Sequence, residues 1–257
     1  MLNISHFVMR ASPRLSSCAP AIFLLVIIVS APLIRAGAAP IAEADLSPIS
    51  QQKPFTPMSV ETILEAERLL FSLGYWTGPI DGVMDDDTRY GLIAFQKVEG
   101  RDPNGTLTLS EVKALRKARR PSPKFKGGFH IEVDLTLQIL FVVDGSDKVR
   151  LILPVTTGNE KLFSEGGWTR RARTPRGTFI VYRKIDGWRE SELGPLYYPN
   201  YIVGGVAIHG SRSVPTAPAT HGCIGIPLNA AKQFSKMAPI GTVVRIYGRA
   251  PLPISGE

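Results

Sequence analysis

The texture of the chain changes near Gly128, and that change constrains the fold more than any other feature. Before it, apolar residues recur at helical spacing. After it, short runs of branched and aromatic residues alternate with turn formers. Val60, Ile63, Leu64, Leu70 and Leu73 fall on helical spacing, and Gly74 follows as a C-terminal stop. The stretch 74–82 is dense in turn formers. Asp85, Asp86 and Asp87 open a second helix through Phe95 and Gln96, with acids at its positive end. Thr108-Leu109-Ser110-Glu111 is a capping box ahead of a third, short helix. Beyond Gly128, strands are expected over 130–133, 138–143, 149–156, 177–183, 206–208 and 243–247. Asp144-Gly145 reads as a hairpin turn, and 228–237 as the one clear helix of this half. The expected fold class is α+β in two domains: a small three-helix N-terminal module and a mainly-β domain.

The ends read differently. Arg10 and Arg14 precede the apolar run 21–29, and Ala36-Gly37-Ala38 supplies small residues for cleavage. Residues 1–38 therefore read as a secretory signal peptide, too short in its apolar part to span a bilayer. Any contact with a membrane would come through an uncleaved signal anchor. Cleavage removes three arginines, no acids and Cys18, so the net charge falls from +8 to +5 and Cys223 is left without a partner. A lone thiol in an exported protein serves chemistry or packing. Residues 39–57 read as a spacer, 58–117 as the helical module, 118–127 as a basic linker, 128–248 as the β domain and 249–257 as a tail. The seven Lys and Arg residues in 113–126 would suit a nucleic-acid tether in a cytoplasmic chain. Export argues against nucleic acid as a partner and places the chain in the cell envelope.

The chemistry concentrates in 209–223, which begins with His209-Gly210 and ends with Thr220-His221-Gly222-Cys223. An imidazole and a thiol are the parts of a nucleophilic acyl-transfer site, because a free thiol needs a base to act near neutral pH. A buried, inert cysteine is the plain alternative. A zinc site from His209, His221 and Cys223 has acceptable ligand types but lacks compact pairings and a matched carboxylate. Arg170, Arg171, Arg173 and Arg176 read equally as an anion-binding edge or a solvated loop. His130 begins a strand and reads as structural.

Two resemblances extend this reading. Leu73-Gly74-Tyr75, Gly78, Asp81-Gly82, Thr88, Phe95-Gln96 and Asn104-Gly105 resemble the three-helix peptidoglycan-binding domain, with Met84-Asp85 where that family usually has Phe-Gly. His209 with the spaced Thr220-His221-Gly222-Cys223 resembles the L,D-transpeptidase catalytic domain. So do Arg173-Thr174-Pro175-Arg176-Gly177, Val133-Asp134, Gln138 and Tyr197-Tyr198-Pro199. The second resemblance implies that Cys223 is the nucleophile and His209 the general base, oriented by a carbonyl near Gly210. It implies that the amides of His221, Gly222 and Cys223 face the oxyanion, and that Thr220, His221 and Gly210 shape the site. No metal or organic cofactor is implied; the implied partners are peptidoglycan stem peptides and glycan. The implied reaction is acyl transfer from a tetrapeptide stem with release of D-Ala. Hydrolysis to a shortened stem (an L,D-carboxypeptidase) and non-catalytic wall binding are the alternatives. One departure is Gly225, where the family often carries an Arg that binds substrate carboxylate; Arg212 is one candidate to replace it.

Overall fold

The computed structural model describes residues 58–251. The expected signal peptide, most of the spacer and most of the tail lie outside these residues. The first helix, α1 (Val60–Leu73), is capped by Ser59, whose Oγ accepts the Thr62 N–H at 3.3 Å. It ends at Gly74, whose φ of +97° suits glycine. Asp85 caps α2 (Asp86–Val98), accepting the Thr88 N–H at 2.8 Å. Thr108 caps α3 (Leu109–Lys117) through the Glu111 N–H. The reciprocal half of the expected capping box is absent: the Glu111 carboxylate instead takes both oxygens to Arg101 Nε at 2.9 Å. An ion pair with a guanidinium outcompetes a single exposed amide.

Twelve strands follow among the described residues. One sheet runs β3 (Val149–Pro154), β2 (Ile139–Val143), β1 (His130–Asp134), β12 (Val243–Tyr247) and β6 (Gly177–Ile180), with β1 and β12 parallel. A second runs β11 (Ile224–Pro227), β10 (Val206–Ser211), β9 (Leu196–Val203) and β7 (Arg183–Lys184), with β8 (Trp188–Arg189) also on β9. The pair β4 (Leu162–Glu165) and β5 (Trp168–Arg171) forms a separate hairpin. The single strand expected over 177–183 is two strands in two sheets. Val181 and Tyr182 make the crossing and bond Thr242 and Tyr201 respectively. The Asp144-Gly145 turn is a longer loop, closed by Asp144 N–H to Lys148 O and by Asp144 Oδ1, which accepts two amides. The expected helix over 228–237 starts as one 3-10 turn (Leu228–Ala230) and continues as α4 (Ala231–Met237).

Three layers result. Leu140 and Val142 of β2 face a core shared with Ile208, Ile224, Ile226 and Phe234 of the second sheet and α4. Ile139, Phe141 and Val143, on the opposite face, pack with Leu70, Phe95 and Leu115 of the helices. That explains the unbroken apolar run Ile139-Leu140-Phe141-Val142-Val143: both faces of the strand are covered. Trp76 crosses from the helical module into the inter-sheet core, and Tyr75 forms a parallel bridge with Ile152. The two domains thus form one compact unit. The basic segment between them is tied down: Arg120 donates to Val149 O, and Lys124 and Phe125 donate their N–H groups to the buried Glu132 carboxylate. His130 bridges Glu132 and Gly128 O, a structural role.

Candidate active site

Strand pairing sets the distance between imidazole and thiol. In the parallel pair of β10 and β11, Ile208 lies opposite Ile224 and His209 opposite Gly225. The isoleucines enter the core, so alternation turns His209 to the outer face. Cys223, two residues before Gly225, shares that face. Two steps along a strand and one across place the Cα atoms of His209 and Cys223 about 8 Å apart, within reach of both side chains.

His209 is buried, and its Nδ1 lies 3.0 Å from Gly210 O. A carbonyl only accepts, so Nδ1 carries the proton and Nε2 presents a lone pair. Burial holds the imidazole pKa below its ordinary value, with the bond to Gly210 opposing. Cys223 is half-buried beside Ala207 and Leu196. Burial pushes its thiol up, opposed by the Ala207 backbone. Its Sγ is directed to Gly205 O at 3.8 Å, and no imidazole–thiol hydrogen bond exists among the described residues. Both shifts favour a neutral imidazole beside a neutral thiol near pH 7.

The turn before Cys223 is held from within and from outside. Thr220 Oγ1 accepts the Gly222 N–H at 3.1 Å and donates to Cys223 O at 2.6 Å. Its N–H donates to Thr157 O, and its carbonyl accepts from Asn159. Gly222 has φ +140°, and a Cβ there would stand 3.0 Å from Arg173 O, so only glycine fits. Because its N–H is engaged by Thr220, Gly222 does not offer that amide to an oxyanion; the amides of His221 and Cys223 are the remaining candidates. The exposed His221 ring lies 4.7 Å from that of Phe163 in the β4–β5 hairpin. Gly210 lets α4 close in: a Cβ would stand 2.7 Å from Ala231 Cβ.

Thr174 was missed as a site residue. Its Oγ1 accepts the Gly158 N–H and donates to Gly222 O, both at 2.9 Å, linking the turn to the opposite wall. The Arg173-Thr174-Pro175 motif marked the segment but gave no role to the hydroxyl. The basic residues separate: Arg173 pairs with Glu160 at 3.2 Å, Arg171 donates to Glu160 O, and Arg212 stacks over Trp188 at 5.2 Å. Arg170 lies opposite Phe163 in the hairpin register. Among the described residues no cluster of three His, Cys, Asp or Glu side chains could hold a metal ion.

The comparisons with known proteins agree with this geometry. Residues 128–246 match the L,D-transpeptidase catalytic domain, and residues 59–115 a peptidoglycan binding domain. The solved L,D-transpeptidase of Xylanimonas cellulosilytica is 36% identical, covers 76% of this chain and 100% of its own, and superposes with a TM-score of 0.71. That of Stackebrandtia nassauensis is 24% identical over 74% of this chain and 93% of its own, with a TM-score of 0.43, too distant to add weight. No curated protein matches. The class defined by fold and site is a peptidoglycan-directed enzyme of the transpeptidase type. The chain belongs to the L,D-transpeptidase family, with an N-terminal peptidoglycan-binding domain.

Proposed function

We propose that this protein is an exported L,D-transpeptidase that cross-links peptidoglycan through a thioester on Cys223. The observation that carries the reading is the placement of His209 and Cys223 on one face of adjacent strands, with Nε2 left free by the Nδ1 bond to Gly210 O. Rotation of the thiol away from Gly205 O brings Sγ to Nε2. His209 accepts the thiol proton as Sγ attacks the carbonyl of the third stem residue. The tetrahedral oxyanion is met by the amides of Cys223 and His221. On collapse the C–N bond breaks, His209 returns the proton to the leaving amine, and D-Ala departs. An amine of a second stem then attacks the thioester, gives its proton to His209 and expels the Cys223 thiolate, which is reprotonated. Residues 1–38 direct the chain to the envelope.

Intact-mass spectrometry of residues 39–257 with a disaccharide-tetrapeptide tests this. The expected adduct is substrate less D-Ala, absent from Cys223→Ala. Cross-linked dimers among the products confirm an amine acceptor. Shortened stems alone replace transfer with hydrolysis, and no adduct from folded protein refutes the reading.

A further inference from the structure

Helix α2 belongs to the wall-binding module, yet it touches the stretch between the proposed base and nucleophile directly at one point and reaches it through a relay of hydrogen bonds at another. Tyr90 Oη accepts the N–H of Val214 at 3.2 Å, midway along that stretch, and the Val214 side chain is buried. At the other end of α2, the buried Lys97 donates to Gln138 O at 3.3 Å. Gln138 stands at φ +55°, a conformation that needs outside support in a residue with a Cβ. Its Nε2 donates to Thr157 Oγ1 at 2.8 Å. The Thr157 carbonyl accepts the N–H of Thr220, the residue that fixes the nucleophile turn. A third tie lies beyond the cysteine strand, where Asn229 Nδ2 donates to both Asp87 carboxylate oxygens at 3.0 and 3.2 Å.

We infer that α2 is a positioning element of the catalytic site: Tyr90 holds the 212–219 loop directly, and Lys97 holds the Thr220 turn through Gln138 and Thr157. The inference rests on the proposed function, since it takes 209–223 as the reacting segment. Its substance is that the wall-binding module does more than tether. A stem peptide would meet a loop whose shape is set partly by the domain that grips the glycan. The loop itself carries Pro215, Pro218 and small residues; Thr156 Oγ1 anchors its far end, donating to Ala217 O at 3.1 Å and accepting the Ala219 N–H at 3.0 Å, so the Tyr90 bond at Val214 is the tie that α2 supplies to its middle.

The test is amide exchange read by mass spectrometry on the full chain, beside D-Ala release kinetics, for Tyr90→Phe and Lys97→Met. Tyr90→Phe deletes one oxygen and keeps the ring. It is expected to speed exchange at Val214 by up to about tenfold, as loss of one neutral hydrogen bond allows. It is expected to raise KM for the tetrapeptide donor about threefold to tenfold, with kcat within about twofold and an unchanged Tm. Lys97→Met is expected to speed exchange at Thr220 while the melting temperature does not fall. Should Tyr90→Phe fail to fold, Lys97→Met decides alone. Wild-type exchange and KM in the folded variants overturn the inference. Faster exchange with unchanged KM also overturns it, reducing the contacts to packing. A wild-type chain that releases no D-Ala refutes the proposed function instead, while the exchange arm still reports whether α2 holds the loop.

Discussion

Gly225 and Thr156 exchange both of their backbone hydrogen bonds, at 2.9 and 3.0 Å, so β11, which begins directly after Cys223, is stitched to the extension of β3. On its other side Gly225 stands opposite His209. A Cβ at 225 would lie 3.0 Å from Thr156 Cγ2 and 3.4 Å from Ser211 Cβ. The methyl group of Thr156 thus fills the space that a side chain at 225 would need. Gly225→Ala is expected to cost about 1–2 kcal/mol through overpacking. Thr156→Ser deletes that methyl and keeps the hydroxyl bonded to Ala217 O and Ala219 N–H. Thermal melts of a double-mutant cycle check this: Thr156→Ser should restore most of the loss in Gly225→Ala. Purely additive effects would show that the clash is not the reason for the glycine.

Thr174 is the residue whose loss should most affect the turn without touching substrate. Thr174→Val keeps the shape but leaves the buried Gly158 N–H unpaired and removes a donor from Gly222 O. The expected cost is about 1–3 kcal/mol of stability. Acylation of Cys223 should slow about tenfold as the turn loosens. Thr174→Ser should restore both. Calorimetry beside the intact-mass rate separates the two effects, and a Val variant with wild-type acylation would remove Thr174 from the site.

What the sequence made legible follows its local signals. The three helices were readable from local signals: apolar spacing and Gly74 for α1, the acids 85–87 for α2, and Thr108 with Glu111 for α3. The candidate pair His209 and Cys223 stood out because its motif is local, and the strand pairing then brings the two ends of that motif together. The β4–β5 hairpin was not readable: Trp168 to Arg171 are all exposed, so no apolar alternation marks them. Strand β9 was hidden by Pro199 and by Tyr198, whose φ is +47°. The role of Thr174 depends on Gly222, 48 residues away. The ties from α2 to the loop depend on the packing of two domains that the sequence shows only as separate blocks. The apolar run in β2 was the one available hint of that packing.

The resting protonation state has kinetic consequences. Burial lowers the His209 pKa, so neutral imidazole persists below the ordinary value of 6.5. The acid limb of kcat/KM should therefore fall below pH 6.5. Burial raises the Cys223 thiol, so iodoacetamide should alkylate the resting protein slowly at pH 7 and faster as pH rises past 9.0, the ordinary value. Rapid, pH-independent alkylation near neutrality would instead reveal a preformed thiolate–imidazolium pair. The same burial makes folding pH-dependent. The unfolded imidazole binds a proton that the folded one resists, so stability should decline as pH drops through 6.5.

Lys97 gives a slope of the same sign at higher pH. Burial pulls its ammonium from 10.5 down to about 8. Below pH 8 both folded and unfolded chains hold the proton, and the desolvation penalty is present in full. Between pH 8 and 10.5 the unfolded chain binds more protons than the folded one, so this site adds stability as pH rises. The difference corresponds to about 3 kcal/mol across that window. Lys97→Met removes the buried charge and keeps most of the volume. Gln138 O retains a donor in the Val155 N–H at 3.0 Å. The variant should be more stable than wild type at pH 7 by about 1–3 kcal/mol and should lose the alkaline rise. Denaturant melts at pH 7 and pH 10 measure both. Combined with faster exchange at Thr220, the result would separate global stability from local order: the native lysine weakens the fold and tightens the turn. A Met variant less stable at pH 7 would show instead that the bond to Gln138 O outweighs the desolvation of the charge.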